Sequence, residues 1–391
     1  MTPIAPTDLQ MKRREVAARS MSRRRPPQTT DVMMTASASA FPEHSISTDA
    51  AISLVIDRGV SERAARRIAS TARAGDINTR RTVAPMDWYR VPHSLNERLA
   101  ICDAAGMDMA TRAAGDALRA AEVAADEVGT VVFVSSTMLS MPSPDARLIH
   151  QLGLPTSVMR VPVWGRGCAG GAAGLGLAGR LAATSDDPVL LVVVETCTAH
   201  GHADDVSMLS LLIGLLYGDG ASAMVLRRSS RVRSRLPQGG AFDGVLSPRI
   251  VGTDSALVTN TIALGGWDID GGGLHYRHLA EISEVSSREV PRAVKSAATR
   301  LGFGNLVGSG QLWAALHPTS AAVMEAQAVS LGMHPDALRI NLEVFARIGN
   351  TSAPSVLIAL EEILRQAPQD SPVLALATGP GYSIEQVWFQ T

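Results

Sequence analysis

One cysteine stands between glycines in Gly165-Arg166-Gly167-Cys168-Ala169-Gly170-Gly171, just after the apolar run Val161-Pro162-Val163-Trp164. A small-residue segment, Gly170 to Ala183, follows and reads as a tightly packed helix. A thiol at such a strand-to-helix turn meets the free amides and positive end of the helix, which favour thiolate. The glycines let an acyl group approach the backbone closely. The competing reading of a free cysteine is a small buried hydrophobe. Far downstream, Leu312-Trp313-Ala314-Ala315-Leu316-His317-Pro318 is an apolar strand ending at a histidine. Beyond it, Ile348-Gly349-Asn350-Thr351-Ser352-Ala353 is a glycine turn that carries an asparagine into a helical pattern. Cysteine, histidine and asparagine at strand ends supply a thiolate, its cationic partner and an amide donor, a set suited to acyl transfer through a thioester.

The elements that must position these residues alternate. Ala51 to Ile68 and Leu95 to Ala121 have apolar residues at three- and four-residue spacing and predict helices. Gly129 to Val134 predicts a strand, and the fully apolar Pro188 to Val194 predicts a central one covered on both faces. In the second half, Leu312 to Leu316, Val373 to Ala377 and Ile384 to Phe389 read as strands. Ser286 to Leu301, Ser320 to Leu331 and Ala353 to Arg365 read as helices. The alternation argues α/β layers. The charged, aperiodic segment from about Arg228 to Gly252 is the expected boundary between two halves.

At these motifs the chain resembles the type III polyketide synthases of the thiolase superfamily, from about Ser37 to the C-terminus. Gly167-Cys168-Ala169-Gly170-Gly171-Ala172-Ala173-Gly174-Leu175 is similar to the nucleophile segment of bacterial members. Leu216-Tyr217-Gly218-Asp219-Gly220-Ala221, Gly349-Asn350-Thr351-Ser352 and Gly379-Pro380-Gly381 resemble three further motifs in order. The resemblance implies a thiolase-like fold of two similar αβαβα-layered halves. Residues 37–240 would carry the nucleophile, and residues 241–391 the histidine and asparagine. It implies that Cys168 takes an acyl group from an acyl-CoA, with His317 holding the thiolate. His317 and Asn350 would then stabilise the enolate left when malonyl-CoA loses carbon dioxide.

Further roles rest on the same likeness. Tyr217 and Tyr276 stand where many members have gatekeeper phenylalanines. Glu195, Cys197, Ser352 and the Gly379-Pro380-Gly381 loop would line the cavity, and Met141 would reach the partner subunit's cavity in a homodimer. Arg80 and Arg81 lie near where the family places a basic patch for the CoA phosphates, a task that suits arginine. No bound cofactor is implied, only acyl-CoA and malonyl-CoA as substrates, with a fatty acyl starter and an alkylpyrone or resorcinol-type product. The chain departs from the family at His317-Pro318-Thr319-Ser320, at Ala377-Thr378, and at His200-Gly201-His202, which replaces a common Thr-Phe pair. The two histidines lack the accompanying ligand pattern of a closed metal site, so no metal is expected.

Composition fits this reading. A chain of 391 residues with 46% hydrophobic content and a net charge of -1 has no overall basic bias towards nucleic acid or anionic membrane. Cys102, Cys168 and Cys197 show no paired spacing, which favours reduced thiols and a cytoplasmic location. No apolar run reaches the ~20 residues that span a bilayer. Residues 1–36, rich in arginine and then in Pro, Thr, Ser and Ala, are expected to form a flexible basic extension. Two rival readings remain at this stage: a ketoacyl synthase III-like enzyme performing one condensation, and a catalytically silent thiolase-fold scaffold.

Overall fold

The structure is a computed structural model that describes residues 31–74, 76–232, 248–270 and 273–391. The strands are β1 (Val32–Ala40), β2 (His44–Ser47), β3 (Thr79–Thr82), β4 (Thr130–Val134), β5 (Met159–Val163), β6 (Val189–Thr196) and β7 (Asp219–Arg228). They continue with β8 (Arg249–Leu257), β9 (Gly265–Asp270), β10 (Gly273–His278), β11 (Trp313–Leu316), β12 (Pro372–Gly379) and β13 (Ser383–Gln390). The main helices are α1 (Thr48–Ile56), α2 (Glu62–Ala74), α3 (Leu95–Ala120), α4 (Pro144–Leu152) and α5 (Gly170–Ala182). After them come α6 (Met208–Leu216), α7 (Glu281–Leu301), α8 (Ala321–Leu331), α9 (Pro335–Ile348) and α10 (Ala353–Gln366).

Nine strands form one sheet in the order β11-β12-β13-β8-β1-β7-β6-β4-β5. The order contains its own repeat. In the first half, β4 runs parallel to β6, β6 antiparallel to β7, and β7 antiparallel to β1. In the second half, β11 is parallel to β12, β12 antiparallel to β13, and β13 antiparallel to β8. Under this correspondence α5 matches α10 and α3 matches α7. The two middle helices pack on each other and on strands of both halves, while α3 covers the strands of the first half and α7 contacts β8 and β13. That is the expected pair of layered halves. Strand β6 is buried along its whole length, as an apolar run covered on both faces must be.

Local chemistry sets several boundaries. Ser94 opens α3 with a capping box: its hydroxyl accepts from Glu97 N–H at 3.3 Å, and Glu97 Oε2 accepts from Ser94 N–H at 2.8 Å. The single helix expected over Ala51 to Ile68 is two helices, because the chain turns at Gly59 with φ 76° and restarts at Ser61, whose hydroxyl caps Ala64 N–H at 3.3 Å. The extension expected over residues 1–36 also ends earlier. Val32 to Ala36 belong to β1, where Met34 and Ala36 are fully buried between β7 and β8. The rest of that basic segment, through residue 30, and part of the inter-half boundary, 233–247, lie outside the described residues.

Candidate active site

Glycine is required along α5 by what α5 touches. A Cβ at Gly171 would lie 2.2 Å from the Ala353 carbonyl oxygen, and one at Gly174 would lie 2.6 Å from a Val134 methyl. Small residues therefore bring the start of α5 against the start of α10. That contact places Cys168, in the tight turn ahead of α5, beside Ser352, the residue preceding α10.

Ser352 joins the three candidate groups. Its hydroxyl donates to Cys168 Sγ at 3.6 Å, and its N–H donates to Asn350 Oδ1 at 2.7 Å. It does so with φ 59° and ψ -126°, a backbone state that non-glycine residues rarely adopt. Asn350 is itself fixed by backbone bonds: its N–H donates to Leu216 C=O at 3.0 Å, and its carbonyl accepts from Gly218 N–H at 2.9 Å. The same pairing brings Tyr217 alongside, with its hydroxyl 3.9 Å from Cys168 Sγ. His317 follows β11, held by its N–H donating to Leu376 C=O at 2.9 Å. Its side chain is buried, and neither ring nitrogen meets hydrogen-bond geometry with a partner among the described residues, although the Ser352 backbone is near enough to favour the protonated ring.

Burial dominates the electrostatics. It lowers the His317 imidazole to about 4 and pushes the Cys168 thiol up, opposed by the hydrogen bonds from Ser352 and Tyr217. Each shift disfavours the charged form of its own group, so charge on either must come from the partner or the substrate.

Glu195, at the end of β6, has a structural connection to the nucleophile. Its carboxylate accepts from Ser136 N–H at 3.0 Å, Thr137 N–H at 2.9 Å and Thr137 Oγ1 at 2.5 Å. Ser136 Oγ in turn accepts from Gly167 N–H at 2.9 Å, so the carboxylate steadies the turn that bears Cys168. Burial nonetheless raises Glu195 to about 7, against those hydrogen bonds. The C-terminal loop closes the other side. A Cβ at Gly379 would lie 2.7 Å from Ala169 N, and one at Gly167 would lie 2.9 Å from Pro380 Cδ. Gly381 turns that loop with φ 117°.

Behind Tyr217 lies a cavity walled by α1, α6, β10 and the segment after β6, with apolar side chains such as Leu54, Val55, Leu211, Ile213 and Leu274. Tyr217, Tyr276 and Cys197 line it, and the two tyrosine rings stack at 5.3 Å. Met141 is 97% exposed and lies outside this cavity. Arg80 is a correction: it is 2% exposed, lines the same cavity and donates to Thr48 Oγ1 at 2.8 Å, so it offers no open phosphate patch. Strand alternation leaves Arg81 on the other face of β3, partly open to solvent. Reasoning from the sequence gave no role to Ser136 and Thr137. Only the cross-strand contact with Glu195 reveals them.

A cysteine at the mouth of a central helix in a duplicated thiolase-like fold defines an acyl-transferring condensing enzyme. Comparison with known proteins agrees. The family model for the N-terminal domain of chalcone and stilbene synthases matches residues 85–229, and that for their C-terminal domain matches residues 255–391. The 1,3,6,8-tetrahydroxynaphthalene synthase of Streptomyces peucetius subsp. caesius is 30% identical over 356 residues, which cover 89% of this chain and 90% of that one. The alpha-pyrone synthesis polyketide synthase-like Pks18 of Mycobacterium tuberculosis is 28% identical over 357 residues, covering 87% and 85%. Among solved structures, the 1,3,6,8-tetrahydroxynaphthalene synthase of Streptomyces coelicolor A3(2) superposes with a TM-score of 0.82 at 22% identity, covering 92% of this chain and 99% of that one. The chain belongs to the chalcone and stilbene synthase family, the type III polyketide synthases. It is an acyltransferase of decarboxylative Claisen condensation that uses CoA thioesters. The family match sets aside the ketoacyl synthase III and silent-scaffold readings.

Proposed function

We propose that Cys168 carries the growing chain while His317 and Asn350 bind the thioester oxygen, and that the starter is a fatty acyl group. The observation that carries the first part is the Ser352 junction, which bonds both Cys168 and Asn350 and faces His317. In the loading step the thiol proton passes to His317, so the buried pair keeps zero net charge while the thiolate attacks. The Sγ–acyl bond forms, and CoA departs as its thiol with that proton. Loss of carbon dioxide from malonyl-CoA then leaves an enolate, whose oxygen receives hydrogen bonds from His317 Nε2 and the Asn350 amide. The enolate carbon attacks the acyl carbonyl on Cys168: the C–C bond forms, the C–S bond breaks and the Cys168 thiolate leaves. The resulting β-ketoacyl-CoA, one ketide unit longer, is reloaded onto Cys168 for the next round.

The apolar walls behind Tyr217 suit an alkyl chain, since their burial against methylenes contributes about 0.8 kcal/mol per CH₂. Repeated extension and ring closure give an alkylpyrone or resorcinol. Arg81 remains the candidate contact for the CoA phosphates, and a homodimer would bring Met141 to the partner's cavity. The test is mass spectrometry of the purified protein with malonyl-CoA and acyl-CoAs of graded length, beside Cys168→Ala. Malonyl-dependent pyrones or resorcinols that rise with chain length and vanish in the variant are expected. Turnover restricted to short or aryl starters would overturn the fatty acyl assignment alone.

A further inference from the structure

The turn that bears Cys168 has little local restraint. Gly165 and Gly167 have positive φ, 75° and 49°, so the backbone on either side of Arg166 lacks the limits a Cβ imposes. Gly167–Ala169 form a single short turn that receives no side-chain cap. Ser136 ties this turn to its own half, through the bond from Gly167 N–H at 2.9 Å. Arg166 ties it to the other half. Its Nη2 donates to Oε1 of Glu385, on β13, and the same oxygen accepts from Ser255 Oγ at 2.9 Å. Ser255 stands opposite Glu385 in the register of β13 with β8, so the sheet itself orients the carboxylate.

The two halves also approach closely in their backbones here. A Cβ at Gly379, on β12, would lie 2.9 Å from the Arg166 carbonyl oxygen. Glu385 is 5% exposed, whereas the Arg166 side chain is 40% exposed. A carboxylate taken that far out of water needs a cation and hydrogen-bond donors around it. Burial pushes the Glu385 carboxyl up, opposed first by Arg166 and then by Ser255 and Arg180, while Asp254 adds to the push. Arg166 is thus the strongest of the groups that favour the carboxylate. The condensation steps above use neither member of the pair, yet Arg166 is two residues from the nucleophile.

We propose that Arg166 and Glu385 are positioning residues: their ion pair clamps the Cys168 turn of the first half to β13 of the second, and so keeps Sγ beside Ser352 and Tyr217 for attack on the acyl-CoA. The inference rests on the reading of Cys168 as the nucleophile. Without the clamp the turn can rotate about its two glycines, and a displacement of about 1 Å at a reacting atom costs up to about 100-fold in rate. A pair that served stability alone would leave the rate untouched once both charges were removed together.

The test compares Arg166→Met, Glu385→Gln, the two combined, and Arg166→Lys. Arg166→Met leaves a buried carboxylate without its cation, so its thermal midpoint should fall, and the double variant, with both charges gone, should regain most of that stability. The kcat of the double variant is nonetheless expected to stay about 10- to 100-fold below wild type at a nearly unchanged KM for acyl-CoA. Its rate of Cys168 acylation, read by intact-protein mass, should fall alongside. Arg166→Lys, which keeps the charge without the planar fork, should restore part of the rate lost in Arg166→Met. A double variant as fast as wild type would overturn the proposal. So would single losses that multiply in the double variant, because one clamp cannot be lost twice. A wild-type protein that takes no acyl group on Cys168 would instead sink the nucleophile reading on which the proposal stands.

Discussion

The Asn350 side-chain oxygen accepts the Ser352 N–H, which leaves the NH₂ group for the bond to the thioester oxygen proposed above. Asn350→Ala is expected to lower malonyl-CoA decarboxylation by about 10²–10³-fold, the usual loss of one oxyanion donor, while acyl loading on Cys168 falls less. Carbon dioxide release and intact-protein mass measure the two steps separately, and equal losses in both would contradict a donor role. Glu195 gives a second prediction at this scale. Its folded pKa of about 7 lies above the ordinary carboxyl value of about 4. The folded state thus binds its proton more tightly, so the contribution to stability is full below about pH 4 and is lost as pH rises through about 7. Asp219, also raised to about 7 by burial, adds a contribution of the same sign. The thermal midpoint of Glu195→Gln should fall less steeply than that of the wild type between pH 5 and pH 8, on the order of the window set by these values. An unchanged slope in scanning calorimetry would assign the pH dependence elsewhere.

Among the elements, the α5–α10 contact carries the site. A methyl at Gly171 meets the Ala353 carbonyl, a backbone atom with no rotamer to yield. Gly171→Ala is expected to cost about 1–3 kcal/mol of stability through overpacking, and to reduce turnover further by shifting Cys168 from Ser352. Gly176→Ala serves as the control, because its nearest neighbour is Thr253 Cγ2 at an ordinary 3.6 Å. Calorimetry with steady-state rates checks both, and two variants of equal stability would argue that the helices can separate. The small-residue composition of α5 was legible from the sequence, but its reason was not, because Ala353 is 182 residues away from Gly171 along the chain.

At the scale of the whole molecule, β5 is an edge strand paired, among the described residues, only with β4. Met159 and Trp164, at and just beyond its ends, are 54% and 56% exposed, and Met141 is more exposed still. An unpaired edge flanked by apolar side chains is a liability that a second subunit removes. The protein is expected to run as a dimer in light scattering, and a combined Met141→Asp and Trp164→Asp variant to shift it towards monomer. A monomeric wild type would end the homodimer proposal. No helix among the described residues is long and apolar enough to cross a membrane.

The sequence by itself determined the α/β alternation, the cysteine turn, the histidine at a strand end and the asparagine in a glycine turn ahead of a helix, because each is written in local periodicity and local glycine. The expected strand before Asn350 is instead the helix α9. The sequence could not determine what those residues touch. The bonds of Ser352 to Cys168, of Gly167 to Ser136 and of Arg80 to Thr48 join positions from 31 to 184 residues apart. The single helix expected over Ala51 to Ile68 breaks at Gly59, a choice between helix and turn that the apolar pattern did not reveal. Charge states were likewise decided by the tertiary structure. Burial moves the Cys168 thiol up and the His317 imidazole down, away from their charged forms, because folding removed the solvent that makes charge inexpensive.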